Sequence, residues 1–163
     1  MSDAVAIRDQ MSDHMDVLAL EAAYAPRWDA GDGAGWSRLF TEDGMFAVAL
    51  PDGTPEIRAR GRAELKGRCD LFNSTMRGVH SISRPDLTFD GDKARAVIPF
   101  TFAGVGREAG RRLEVVGMYK AEYAYTAEGW RIQFRFEIPF SRLTHDMWPR
   151  DLPEIPWLSG VTS

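Results

Sequence analysis

Between residues 12 and 30, Val17, Leu20, Tyr24 and Trp28 recur at helical spacing, and Leu18, Ala22, Ala25 and Asp29 form the neighbouring stripe. This pattern predicts an amphipathic helix. Pro26 lies inside it. It lacks an N–H and crowds the preceding turn, so it is expected to kink the helix or split it near Ala25. Gly31, Asp32 and Gly33 interrupt the pattern, and residues 34–40 read as a short second helix. Residues 44–50 are strand-like, and Pro51-Asp52-Gly53 marks a turn. Residues 57–60 suggest a short strand, and residues 61–73 a third helix with Leu65, Cys69 and Phe72 on one side.

From Arg77 onward the pattern changes. Residues 78–89, 93–103, 113–125 and 130–136 are four long runs rich in Val, Ile, Phe, Tyr and Thr, separated by glycine-containing turn segments. Successive hairpins of this kind predict an antiparallel meander. Strands this long must twist and coil into a cup that helices cover. The expected fold is α+β, in one domain spanning residues 1–163. Its core covers about residues 12–137, followed by a proline-rich, irregular tail at 138–163 that carries Trp148 and Trp157.

Composition supports this picture and narrows it. At 44% apolar and 27% charged residues the chain has a globular rather than a disordered balance. A net charge of −4 argues against a nucleic-acid surface. No apolar run approaches the roughly 20 residues of a membrane span, and the opening MSDAVAIRDQ lacks a signal-peptide pattern. A lone Cys69 permits no intrachain disulfide, which fits a cytoplasmic protein. Five Trp, nine Phe and four Tyr make a core either packed from rings or shaped around a flat ligand.

Few polar residues are placed to do chemistry in such a cup. Asp29 continues the Leu18–Ala22–Ala25 stripe. It is either a carboxylate at the pocket end of an apolar face, where burial demands a partner, or a solvated residue at a helix terminus. His80 falls early in the first long run, as a partner for Asp29 or as a packed core histidine. Tyr24 and Trp28 on the first helix, Tyr119 on the third run and Arg77 before His80 are candidates to contact a ligand oxygen or ring. Phe46, Phe100, Phe102, Phe134, Phe136 and Trp148 are lining candidates. His14 is expected at a solvated helix start, and His145 in the tail. No histidine spacing suits a metal, the Gly31–Gly35 and Gly104–Gly106 stretches lack the strand-to-helix setting of a nucleotide loop, and no GxSxG elbow exists. No cofactor is expected.

The order of these segments resembles the SnoaL-like branch of the nuclear transport factor 2-like superfamily over residues 12–137. The matching stretches are YAPRWDAGDGAGWSRLFTEDGMF (24–46), GRAEL (61–65), Val79-His80 with Leu87-Thr88-Phe89, and YKAEYAYTAEGWR (119–131). The resemblance implies a cone of curved antiparallel sheet with three helices, a cystatin-like α+β barrel, usually as a homodimer or homotrimer, with the pocket inside. Members with dehydratase or dehydrochlorinase activity carry an Asp and a His matching Asp29 and His80, acting as orienter and base. It therefore implies a cofactor-independent lyase acting on a hydrophobic aromatic or polycyclic small molecule. Dehydration is the expected elimination, with loss of halide or of formaldehyde using the same groups. A ketosteroid-isomerase-like isomerase or cyclase, with a carboxylate base, is one alternative. A non-catalytic binding or dimerisation module is the other.

Overall fold

The computed structural model describes residues 10–108 and 112–144. Helix α1 runs Gln10–Asp29, α2 Gly33–Ser37 and α3 Gly61–Thr75. The strands are β1 Phe40–Ala49, β2 Pro55–Arg60, β3 Met76–Ile82, β4 Asp86–Asp90, β5 Lys93–Gly106, β6 Arg112–Thr126 and β7 Gly129–Thr144. They form one curved, unclosed seven-stranded sheet in the order β2-β1-β7-β6-β5-β3, with β4 also paired to β5. Every pair is antiparallel except β1 with β7. The fold is α+β, and buried residues of the three helices and the sheet's inner face share one apolar core. Among the described residues no helix is long and apolar enough to cross a membrane.

The Val17–Leu20–Tyr24–Trp28 stripe of α1 is buried. The neighbouring stripe follows it inward only towards the C-terminal end, where Ala25 is buried and Asp29 half-buried; Leu18 is half-buried and Ala22 exposed, while the polar Asp13 and Glu21 are buried. Asp13 has a partner from the far end of the chain, as Trp130 Nε1–H donates to its Oδ1 at 2.8 Å. His14, expected in solvent, is half-buried with its ring 5.7 Å from that of Phe89. Nor does α1 split at Pro26; it continues to Asp29. The N–H that proline lacks would have bonded the Ala22 carbonyl, on the exposed side, where water can replace it. Gly31, at φ +71°, then turns the chain. Asp32 accepts from the Gly35 N–H at 2.8 Å and caps α2, which is shorter than the periodicity predicts.

The run at 78–89 divides into β3 and β4, because Pro85 cannot continue a ladder. The break faces Pro99 of β5, whose carbonyl accepts from the Ser83 N–H at 3.0 Å. In a strand a residue's nitrogen and carbonyl point the same way, so the donor missing from Pro99 falls where no strand requires it. At the other end, the tail does not turn irregular at Pro139, because β7 continues to Thr144. Residues 145–163, including His145, Trp148 and Trp157, lie outside the described residues.

β7 carries two extra residues relative to β6. Tyr123 pairs with Ile132 but Glu122 with Phe134, and Gly117 pairs with Pro139 but Val116 with Ser141. Gln133 and Phe140 are therefore bulge positions. A single extra residue moves every later side chain to the opposite face. Trp130 and Ile132 are buried in the core, yet beyond Gln133 it is Arg135 that is buried. Phe134 and Phe136, which strict alternation from Trp130 would turn inward, take the other face and stack on each other at 6.1 Å and 12°.

Candidate active site

Asp29 is the last residue of α1, and His80 lies in the middle of β3. The Asp29 carboxylate grips the histidine twice. Oδ2 accepts from the His80 backbone N–H at 2.8 Å, and Oδ1 lies 2.6 Å from ring Nδ1. Since a carboxylate only accepts, Nδ1 carries the proton, and in the neutral ring Nε2 keeps its lone pair. Nε2 has no hydrogen-bond partner among the described residues. Both side chains are largely withdrawn from water, at 9% exposure for His80 and 17% for Asp29. A carboxylate at a helix C-terminus meets the negative end of the helix dipole, so the position costs stability that the histidine contacts offset. Helix α3 braces the pair: Asn73 Nδ2 donates to the carbonyl of Trp28, the residue before Asp29, at 2.9 Å.

His80 faces a cavity of about 140 Å³. That is near the roughly 150 Å³ of a dry cavity that holds one benzene ring. Trp28, Phe46, Val48, Phe72, Phe100, Phe102, Leu113 and Val115 wall it, and Arg68 from α3 and Glu137 from β7 are its other two polar residues. The His80 ring lies 4.6 Å from that of Phe102 and 6.2 Å from that of Phe100, and meets Trp28 edge-on at 6.5 Å. Trp28 also holds a buried indole N–H with no acceptor among the described residues. In the same residues no group of three or more His, Cys, Asp or Glu is arranged to hold a metal ion.

Of the ligand-contact candidates, Trp28 and Phe46 line this cavity. Tyr24 and Tyr119 do not; both are 2% exposed and lie in the core. Tyr119 stacks on Phe100 at 4.1 Å, and the Arg135 guanidinium sits 4.1 Å from the Tyr24 ring centre and 5.0 Å from that of Tyr119. Burial pushes both phenols well above their ordinary range, so they stay protonated. Arg77 is three residues from His80 along a strand, hence on the opposite face. It lines a separate open groove with Val79, Val105 and Arg112. Phe134 is excluded by the bulge at Gln133, and Trp148 lies outside the described residues. Arg68 and Glu137 were not anticipated. Arg68 had a readable signal, since it shares a helical face with Leu65 and Phe72 (i, i+3, i+7). Glu137 had none, because only the bulge turns it inward.

Arg135 belongs to a second buried polar cluster. Its Nη2 lies 2.5 Å from Glu21 Oε1, which also accepts from the Tyr123 hydroxyl at 2.7 Å. Burial alone would lower the guanidinium, but the Glu21 carboxylate, with Tyr123 and Tyr24 beside it, holds it above its ordinary range.

The wall beside His80 rests on two glycines. Gly78 and Gly104 pair across β3 and β5, and the Phe102 ring covers both. A Cβ on Gly78 would fall 2.3 Å from Phe102 Cζ and 2.5 Å from the Ala103 carbonyl oxygen. Gly78→Ala should therefore cost about 1–3 kcal/mol by overpacking and push Phe102 against His80. Urea unfolding measures the cost; a loss below about 0.5 kcal/mol, the size of an ordinary surface substitution, would show that the ring is not confined.

The family model for the SnoaL-like domain matches residues 9–135. No curated protein matches the chain at a significant level. Among solved structures, a Mycobacterium tuberculosis protein of unknown function is 28% identical, with 80% of this chain and 73% of that one covered at a TM-score of 0.68. A nuclear transport factor 2-like protein with a cystatin-like fold from Novosphingobium aromaticivorans is 24% identical, over 80% and 84% of the two chains at 0.66. A candidate scytalone dehydratase from the same bacterium is 16% identical, over 89% and 94% at 0.70. With most of its length matched by the family model, the chain belongs to the SnoaL-like domain family.

Proposed function

We propose that this protein is a cofactor-independent lyase that eliminates water from a small, hydrophobic, ring-bearing molecule, with His80 as general base and Asp29 as its orienter. The observation that carries this reading is the two-point grip of Asp29 on His80, which leaves Nε2 with a free lone pair beside an aromatic cavity. Nε2 takes a proton from a substrate carbon, and the electrons of that C–H bond form a double bond as a hydroxyl departs from the chain. The imidazolium returns its proton to the departing hydroxide, water leaves, and the ring is neutral again. Asp29 opposes the positive charge while it exists. The cavity volume suits one ring, so a polycyclic substrate would extend through the mouth. Expulsion of halide or of formaldehyde would use the same base. The likeness to a candidate scytalone dehydratase agrees with this reading at the level of fold. A non-catalytic module would have no need of an oriented, lone-pair-bearing imidazole in the wall of its cavity.

Glu137 favours a second reading, because an isomerase of the ketosteroid type needs a carboxylate in the pocket. Product mass separates the two. Incubation with a panel of aryl β-hydroxy ketones in D2O should give products lighter by one water, and His80→Ala protein should give none. Products of unchanged formula would favour the isomerase, and equal turnover by His80→Ala would exclude His80 as the base.

A further inference from the structure

Abstraction of a proton from carbon leaves a pair of electrons that must go somewhere. If the carbon lies beside a carbonyl, the charge appears on oxygen, and the rate then depends on a donor or cation placed there. The residues expected to meet that oxygen are elsewhere: Tyr24 and Tyr119 are buried in the core, and Arg77 lies on the outer face. Arg135, the buried cation of the second cluster, is not part of the cavity wall. Among the described residues, Arg68 is the one cation that lines the cavity with His80.

We propose that Arg68 is the residue that holds the developing oxyanion, and that the substrate is accordingly a carbonyl compound; this rests on His80 being the base. Several observations converge on it. Arg68 projects from the Leu65–Phe72 face of α3, the helix whose Asn73 also bonds the Trp28 carbonyl next to Asp29, so cation and base share one brace. A guanidinium is charged at every working pH and presents a rigid fork of donors. The walls around it are apolar, which strengthens its attraction for a new charge. Glu137 lines the same space. Its carboxylate offsets part of the Arg68 charge, so neutralising it should strengthen the pull on an oxyanion. In the reaction, Nε2 takes the α-proton and the C–H electrons pass through carbon to the carbonyl oxygen. The enolate faces Arg68, then collapses to expel hydroxide, which regains the proton from the imidazolium and leaves as water.

4-Nitrophenol tests this without a known substrate, because it is a single ring whose oxyanion is visible by absorbance. Bound to the wild-type protein, its apparent pKa should fall by about one pH unit or more, a tenfold preference for phenolate. Arg68→Gln should abolish that fall while still binding the neutral ring. Glu137→Gln should deepen it. His80→Ala should retain it, so failure of the base assignment and failure of the oxyanion assignment give different results. An unchanged fall in Arg68→Gln, or none in the wild type, overturns the proposal. A comparison that needs no variant is 4-nitroanisole, which has the same ring and cannot ionise. Above the probe's own pKa the wild type should bind 4-nitrophenol at least tenfold more tightly; equal affinities, or binding of neither, also overturn it.

Discussion

Asp29→Asn is expected to lower turnover by about 10³–10⁴-fold while the fold survives. The amide can keep both contacts that the carboxylate makes, but with one reversed. Its oxygen still accepts from the His80 backbone N–H, now 2.8 Å from Oδ2. Its NH2 group, however, must donate to Nδ1, which forces the ring proton onto Nε2. The imidazole then presents an N–H to the cavity where a base requires a lone pair, and nothing opposes the imidazolium charge. Turnover on whichever ketone responds, urea unfolding, and ¹⁵N chemical shifts of His80 together test this. Activity within tenfold of wild type, with the tautomer reversed, would refute the assigned roles.

Glu21→Ala should be the most destabilising substitution considered, at about 3–5 kcal/mol. That is a large part of the ~5–15 kcal/mol that holds a typical domain folded. Arg135 is fully buried and Glu21 is 5% exposed. Truncating Glu21 strands the guanidinium and the Tyr123 hydroxyl in an apolar core, with only the faces of Tyr24 and Tyr119 against the charge. The cost comes from the abandoned partner, not from the strength of the pair. The double substitution Glu21→Leu with Arg135→Met should therefore recover most of the stability, since an apolar replacement of a buried ion pair is often close to neutral. A double variant as unstable as the single one would show that the pair itself contributes the stability.

What a residue's near neighbours specify was legible along the chain. The buried stripe of α1, the face of α3 and the long strands follow from backbone periodicities of 3.6 and 2, which act over a few residues. The segments carrying Asp29 and His80 were visible in the same way, and the resemblance to SnoaL-like proteins named the pair. Arg68 could have been read as well, as a charge inside an apolar helical face. Long-range pairing decided the rest. Nothing local marks Gln133 as an extra residue; it is extra only against β6, and that offset sends Phe134 out and Arg135 and Glu137 in. The polar residues on the buried side of α1 find partners from far along the chain, Trp130 for Asp13 and Arg135 for Glu21, 117 and 114 residues away. The Asp29–His80 grip spans 51 residues. Sequence periodicity sets which face a residue takes within its own element. Register and pairing between distant segments set what that face meets, and at this cavity the bulge in β7 determined which side chains line it.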